Sequence, residues 1–140
     1  MTDKKIEIFV ITPDATDQEA YKFHGHCDMA ILRCLTGDMG ILPGRVPCSV
    51  ILGEGVLRIL EEEAPERKIA IFGGVFHFED DVLKVLTQKA FLPGDIDITS
   101  TQAQAQEYEA RLLQDMSVAE KDKIRKELHH CKVLLDVAIS

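Results

Sequence analysis

The chain has 140 residues, room for one full domain or a small domain with an appendage, and not for a large multidomain enzyme. Its 24 Asp and Glu against 16 Lys and Arg give a formal charge of −8, which repels phosphate backbones and anionic lipid and excludes nucleic acid as the main partner. Apolar residues at 46% and charged residues at 29% describe a folded chain, while the absence of Trp and only 6% aromatics leave little for stacking bases or sugars.

The start, Met1-Thr2-Asp3-Lys4-Lys5-Ile6, passes straight into a strand-like alternation with no signal-peptide core. No apolar run approaches the ~20 residues of a membrane helix, so a soluble, unprocessed protein without direct membrane insertion is expected. Cys27, Cys34, Cys48 and Cys131 show no C-x-x-C spacing and are too few to staple a chain this long, which points to reduced thiols in a cytosolic compartment.

From residue 6 to about residue 92 the sequence reads as short β-runs cut by turns. Ile6, Ile8 and Val10 share one face of a run over 6–12, stopped by Pro13-Asp14. Further runs are expected over 20–24, 26–35, 48–52, 56–61, 68–72, 75–79 and 82–87, each rich in Val, Ile, Leu or Phe. Gly53-Glu54-Gly55 reads as a turn between two of them, and Gly73-Gly74 as a bulge or tight corner. The stretch Glu61-Glu62-Glu63-Ala64-Pro65-Glu66-Arg67 carries four carboxylates and a Pro, which makes it a solvated hairpin tip. The pattern favours a small sandwich or flattened barrel.

After Pro93-Gly94 the composition changes, and no Gly or Pro follows between Asp97 and Ile139. One helix is expected over 102–115, with Ala105, Tyr108, Leu112 and Met116 at helical spacing. Ser117-Val118-Ala119-Glu120 matches a capping box, so a second helix should start there and carry Ile124, Leu128, Cys131, Leu135 and Ala138 as its stripe. Stripes this narrow require the helical hairpin to lean on itself, on the β-part or on another chain. Lys121, Lys123, Arg125, Lys126 and Lys132 outnumber Asp122 and Glu127, making the second helix a basic island on an acidic protein.

Little in the sequence looks catalytic. His24 and His26 share a strand face and imidazole suits zinc, but Cys27 points the other way and no second ligand cluster has the right spacing, so two surface histidines are expected and no metal site. His129 and His130 are adjacent on a helix and diverge, and Asp80-Asp81 reads as a hairpin turn. With no nucleophile elbow and no phosphate-cradling glycine loop, no catalytic residue and no cofactor site are expected, and the protein should work by contact. A small metalloenzyme built on His24 and His26 is a rival that requires stoichiometric zinc, and a free-standing sandwich that binds a small ligand or peptide is another.

Thr36-Gly37-Asp38-Met39-Gly40-Ile41-Leu42-Pro43-Gly44-Arg45-Val46-Pro47 is dense in Gly and Pro yet holds apolar residues, which on a turn-rich loop often mean a partner. The stretch resembles the G-x-x-G-I-L-P-G-H-x-P signature of the epsilon subunit of F-type ATP synthases, the bacterial and chloroplast counterpart of mitochondrial delta. Leu52-Gly53-Glu54-Gly55-Val56-Leu57-Arg58-Ile59 is similar to the family's L-x-x-G-x-x-R-I, and Ile71-Phe72-Gly73-Gly74-Val75-Phe76 with residues 82–87 to its G-G-x-x-x-V and V-x-V-L patterns. Asp95-Ile96-Asp97 falls where the family enters its helices.

The resemblance implies a β-sandwich of about ten strands over residues 1–92, bound to subunit gamma and seated on the c-ring, and a regulatory two-helix hairpin over 93–140. It implies a c-ring contact at Asp38 with neighbours Met39 and Ile41, and transient contact of the hairpin with the alpha/beta head, where Lys123, Arg125 and Lys126 would meet acidic segments. The implied role is that of a non-catalytic rotor subunit of a proton-translocating synthase, peripheral on the cytoplasmic face of a bacterial inner membrane rather than on a thylakoid, whose helices block rotation in the hydrolysis direction. Arg45 stands where the family usually has His. Some bacterial members bind ATP through an I-D-x-x-R-A motif, but here Ser100 and Thr101 follow Ile96 and Asp97, and a further basic position falls at Glu107. Lacking those cations, the chain is expected to bind ATP weakly or not at all.

Overall fold

Period two decides the first element of the computed structural model, which describes residues 4–13 and 21–139. In β1 (Ile6–Ile11) the side chains of Ile6, Ile8 and Val10 are fully buried while Glu7 and Phe9 take the opposite face. The strand pairs antiparallel with β2 (Phe23–Cys27), and a sharp break at Asp28 separates that strand from β3 (Met29–Cys34). Asp28 is a corner: its amide donates to the Leu60 carbonyl at 2.9 Å and its carboxylate accepts from the Glu62 amide at 2.6 Å. The runs expected over 20–24 and 26–35 are thus redivided, the boundary falling at Asp28. Residues 20 and 14, which open one expected run and close the stop after another, lie outside the described residues.

β3 forms a hairpin with β4 (Gly37–Ile41), and two 13-residue strands follow, β5 (Cys48–Leu60) and β6 (Arg67–Glu79). The chain then turns through Asp80 and Asp81, both at positive φ (52° and 61°), into β7 (Val82–Leu86), which gives the two-residue hairpin expected there. The short β8 (Ala90–Phe91) pairs with β6. Strand order is β2-β1-β7-β6-β5-β3-β4, and β1 runs parallel to β7, whereas the β1–β2, β3–β4, β3–β5, β5–β6 and β6–β7 pairs are antiparallel.

The sandwich follows from β5 and β6 serving both layers. Cys48–Leu52 of β5 pairs with Gly74–Phe78 of β6, which also pairs with β7, while Glu54–Ile59 pairs with Arg67–Phe72, and β3 pairs with Arg58–Leu60 and, past its bulge, with Leu52. Gly53-Glu54-Gly55 is therefore a bend inside one strand rather than the turn expected. β3 bulges between Ile31 and Cys34 there, and a Cβ at Gly55 would lie 2.6 Å from Arg33 Cβ and Cγ. Opposite, Gly74 has φ +116°, and a Cβ there would come within 2.0 Å of the Leu86 carbonyl oxygen, so the expected tight corner exists and only Gly fits it. Because both long strands run on through their bends, the described residues hold eight strands where about ten were expected. Phe76, Phe78, Leu32, Leu57, Ile59, Ile69 and Leu83 fill the space between the layers.

The charged tip after β5 is solvated as expected, with Arg58 paired to Glu66 and Arg67 to Glu61. The chain divides into two compact units between Ala90 and Phe91, two residues before the boundary expected from composition. In the second unit a 3-10 turn, Pro93–Asp95, precedes α1 (Ile98–Leu112) and α2 (Val118–Ile139). Asp97 caps α1 by accepting from the Ser100 amide at 3.1 Å, so the helix begins four residues ahead of the expected start at Gln102. Ser117 caps α2 through the Glu120 amide at 3.2 Å. The two stripes face each other: Ala105, Leu128 and Cys131 form the buried cluster, with Tyr108, Leu112 and Leu135 packed against it. The hairpin leans on itself, one of the three supports its narrow stripes allowed. Thr101, Val133 and Val137 are buried too, beyond the expected stripes.

Candidate functional site

The fold splits the Gly- and Pro-rich segment that carries the sequence resemblance. Its first part is β4, an edge strand, and its second part is the loop leading to β5. On β4 the alternation sends Asp38 outward, opposite Arg33 of β3, and the two side chains meet at 3.3 Å. Both are more than half exposed, and a pair so solvated contributes little and leaves the carboxylate available. Burial first and the Asp38 charge second push the nearby Cys34 thiol up. Met39 faces Leu32 and is half-buried. Ile41, opposite Ala30, is fully buried. The side chain of Ile41 belongs to the core and cannot face a partner, because period two places it on the inner side of the edge strand.

Exposed apolar side chains flank β4 instead. Leu35 in the β3–β4 turn is 71% exposed, and Leu42 and Val46 in the following loop are 54% and 73% exposed. The loop is fastened: the Gly44 amide donates to Asp81 Oδ1 at 2.7 Å, and Arg45 reaches back to the Gly40 carbonyl at 3.4 Å. Leu42 and Pro43 line one wall of an open cavity of about 500 Å³ whose other walls include Lys4, Asp28, Leu60 and Glu61. A second apolar surface crosses four strands. Ile11, Leu86, Val75 and Ile51 are successive register partners over β1, β7, β6 and β5, with Leu86 and Ile51 exposed. A continuous apolar band on the outer face of a sheet is the signature of a docking surface.

In the second unit, Lys123, Arg125 and Lys126 are all exposed, and Arg125 pairs with Asp122 at 3.1 Å one turn earlier. Ser100 and Thr101, at the positions where the resemblance led one to look for Arg and Ala, are engaged in the cap: the Ser100 amide donates to Asp97 Oδ1, and the buried Thr101 hydroxyl donates to the Asp97 carbonyl at 2.8 Å. Glu107 is exposed on the same helix.

A family profile described as ATP synthase, Delta/Epsilon chain, beta-sandwich domain matches residues 5–93, more than half the chain. The chain belongs to the ATP synthase delta/epsilon family. It is 34% identical to the ATP synthase epsilon chain of Brevibacillus brevis over 77% of its own length and 78% of that protein's. It is 32% identical to the ATP synthase epsilon chain of an Exiguobacterium species over 88% of its own length and 86% of that protein's. Among solved structures, a chain of the Euglena gracilis mitochondrial ATP synthase, in an assembly described as OSCP, F1 and c-ring, covers all of this chain with a TM-score of 0.69 at 23% identity, which shows a shared fold. The family's sandwich is what the eight strands build, and no helix of the described residues is long and apolar enough to cross a membrane.

Two features of the family member's surface escaped sequence reasoning. The Ile11-Leu86-Val75-Ile51 band depends on the parallel pairing of β1 with β7, and no local pattern announces that pairing. His24 and His26 do share a face as expected, but they share it with Glu7 of β1, whose carboxylate lies 2.9 Å from His24 Nε2 and 3.7 Å from His26 Nε2.

Proposed function

We propose that this chain is a non-catalytic rotor subunit of a proton-translocating F-type ATP synthase, which turns with the c-ring and passes that rotation through subunit gamma to the catalytic head. Family membership supports the assignment to the complex. The observation that carries the docking is the exposed apolar band over β5, β6, β7 and β1, which a stiff body needs in order to grip a shaft. Torque transfer asks for no nucleophile, only a rigid frame and complementary surfaces. The β3–β4 edge, with Asp38 outward and Leu35 and Met39 beside it, is assigned to the polar loops of the c-ring. This reading replaces that of a free-standing ligand-binding module.

The exposed Lys123, Arg125 and Lys126 face is assigned to acidic segments of the alpha/beta head, reached when the helical hairpin extends along gamma. If the hairpin has two docked states of similar free energy, a partner that contacts one state better shifts the population toward it. The protein would then sit peripherally on the cytoplasmic face of a bacterial inner membrane. The test is co-purification with gamma from the same source. Wild-type chain is expected to retain gamma, and Leu86→Glu to lose it while keeping its circular dichroism spectrum; retention of gamma by the folded variant would move the gamma interface elsewhere.

A further inference from the structure

We propose that Glu7, His24 and His26 form a binding site for a divalent transition cation of the zinc class, a site the sequence reading did not expect. Among the described residues, no other three His, Cys, Asp or Glu side chains bring ligand atoms within 4.8 Å of one another. Register explains the convergence. Glu7 stands directly opposite His26 in the β1–β2 pair, and His24 stands opposite Phe9, the next residue of β1 on that face. Both imidazoles present Nε2 to the same carboxylate oxygen, at 2.9 Å and 3.7 Å. Around a tetrahedral zinc with bonds near 2.0 Å, ligand atoms stand about 3.3 Å apart, so small side-chain rotations admit the ion.

The site is partly built before any cation arrives. The His24 ring stacks flat on Phe9, with centroids 4.4 Å apart and planes at 15°, and Tyr21 closes in at 5.2 Å. That packing fixes the direction of its Nε2 and lowers the entropy cost of ligation. Lys5, two residues from Glu7 on the same face, directs its ammonium to Asp28 at 3.6 Å. Two neutral imidazoles and one carboxylate give a donor set of net charge −1, and mixed N/O donors suit Zn²⁺ better than the all-oxygen shells that Ca²⁺ and Mg²⁺ prefer. Three protein ligands leave a coordination position for water. The bound ion would tie edge strand β2 to β1.

The experiment is titration of the untagged full chain, under reducing conditions, with Zn²⁺ by calorimetry and with Co²⁺ by its visible absorption. One equivalent is expected to bind and to raise the thermal midpoint. His26→Gln, at the most exposed of the three positions, and Glu7→Gln should each weaken binding by at least about tenfold, with folding checked by circular dichroism. A His129→Gln, His130→Gln double variant should bind as wild type does. Absence of stoichiometric binding, unchanged affinity in folded His26→Gln and Glu7→Gln chains, or loss of the signal in the double variant would overturn the proposal.

Discussion

Cys27 is fully buried on the inner face of β2, and burial, followed by the charge of Glu61, pushes its thiol up from 9.0 to about 11. Between those values the unfolded chain sheds a proton that the folded chain keeps. The stabilising contribution is therefore complete below pH 9 and is lost as pH rises through about 11, at up to about 1.4 kcal/mol per pH unit. Denaturant titrations at about pH 8 and about pH 10.5 should show a smaller loss for Cys27→Ala than for wild type, and an equal loss would clear Cys27 of any part in it. At Gly74 the backbone itself forbids a side chain, and Gly74→Ala should cost about 3 kcal/mol or prevent folding, whereas Gly94→Ala, with open space around it, should change stability by less than about 0.5 kcal/mol. Such residues were partly legible. A Gly-Gly pair between apolar runs announces a corner, but which glycine meets a carbonyl depends on the register in which β7 folds back along β6. Glu7 was illegible as a histidine partner because the register of β1 against β2 leaves no mark in either strand's own sequence.

Among the elements, the second helix was read most fully, because a Ser cap and an apolar stripe are local signals. Ser117→Ala removes the oxygen that the Glu120 amide donates to, and should cost about 1 kcal/mol. Hydrogen exchange reads it as faster opening of α2 amides with unchanged protection in β5 and β6, and equal acceleration in both would show that the two units unfold together. The first helix was read short at its N-terminus, since Ile98-Thr99-Ser100-Thr101 has no apolar period and β-branched residues argue weakly for helix. Its cap, Asp97, lies in the Asp95-Ile96-Asp97 segment where the resemblance placed the entry to the helices. Gly53-Glu54-Gly55 misled in the other direction: glycines usually punctuate strands, but here β5 stays paired with β6 on both sides of the bend, and the Arg33 side chain from the bulge in β3 takes the space a Cβ at residue 55 would need.

At the scale of the whole molecule, the change of composition after Pro93-Gly94 marks the passage from strands to helices, and the two compact units divide close to it. Fold class was therefore open to reading, while the parallel pairing that completes the sheet was not. If the helical unit acts as a brake, removing the residues after Asp97 should raise ATP hydrolysis by the assembled synthase, and unchanged activity would leave the helices without an inhibitory role under those conditions. The parallel pairing also sets a timetable. During synthesis β1 emerges before β7 and waits with one edge bare until Val82–Leu86 follows, because among the described residues it is β7 that supplies that ladder. The newborn sandwich is thus exposed to off-pathway pairing along that bare edge until β7 has been made and can reach it.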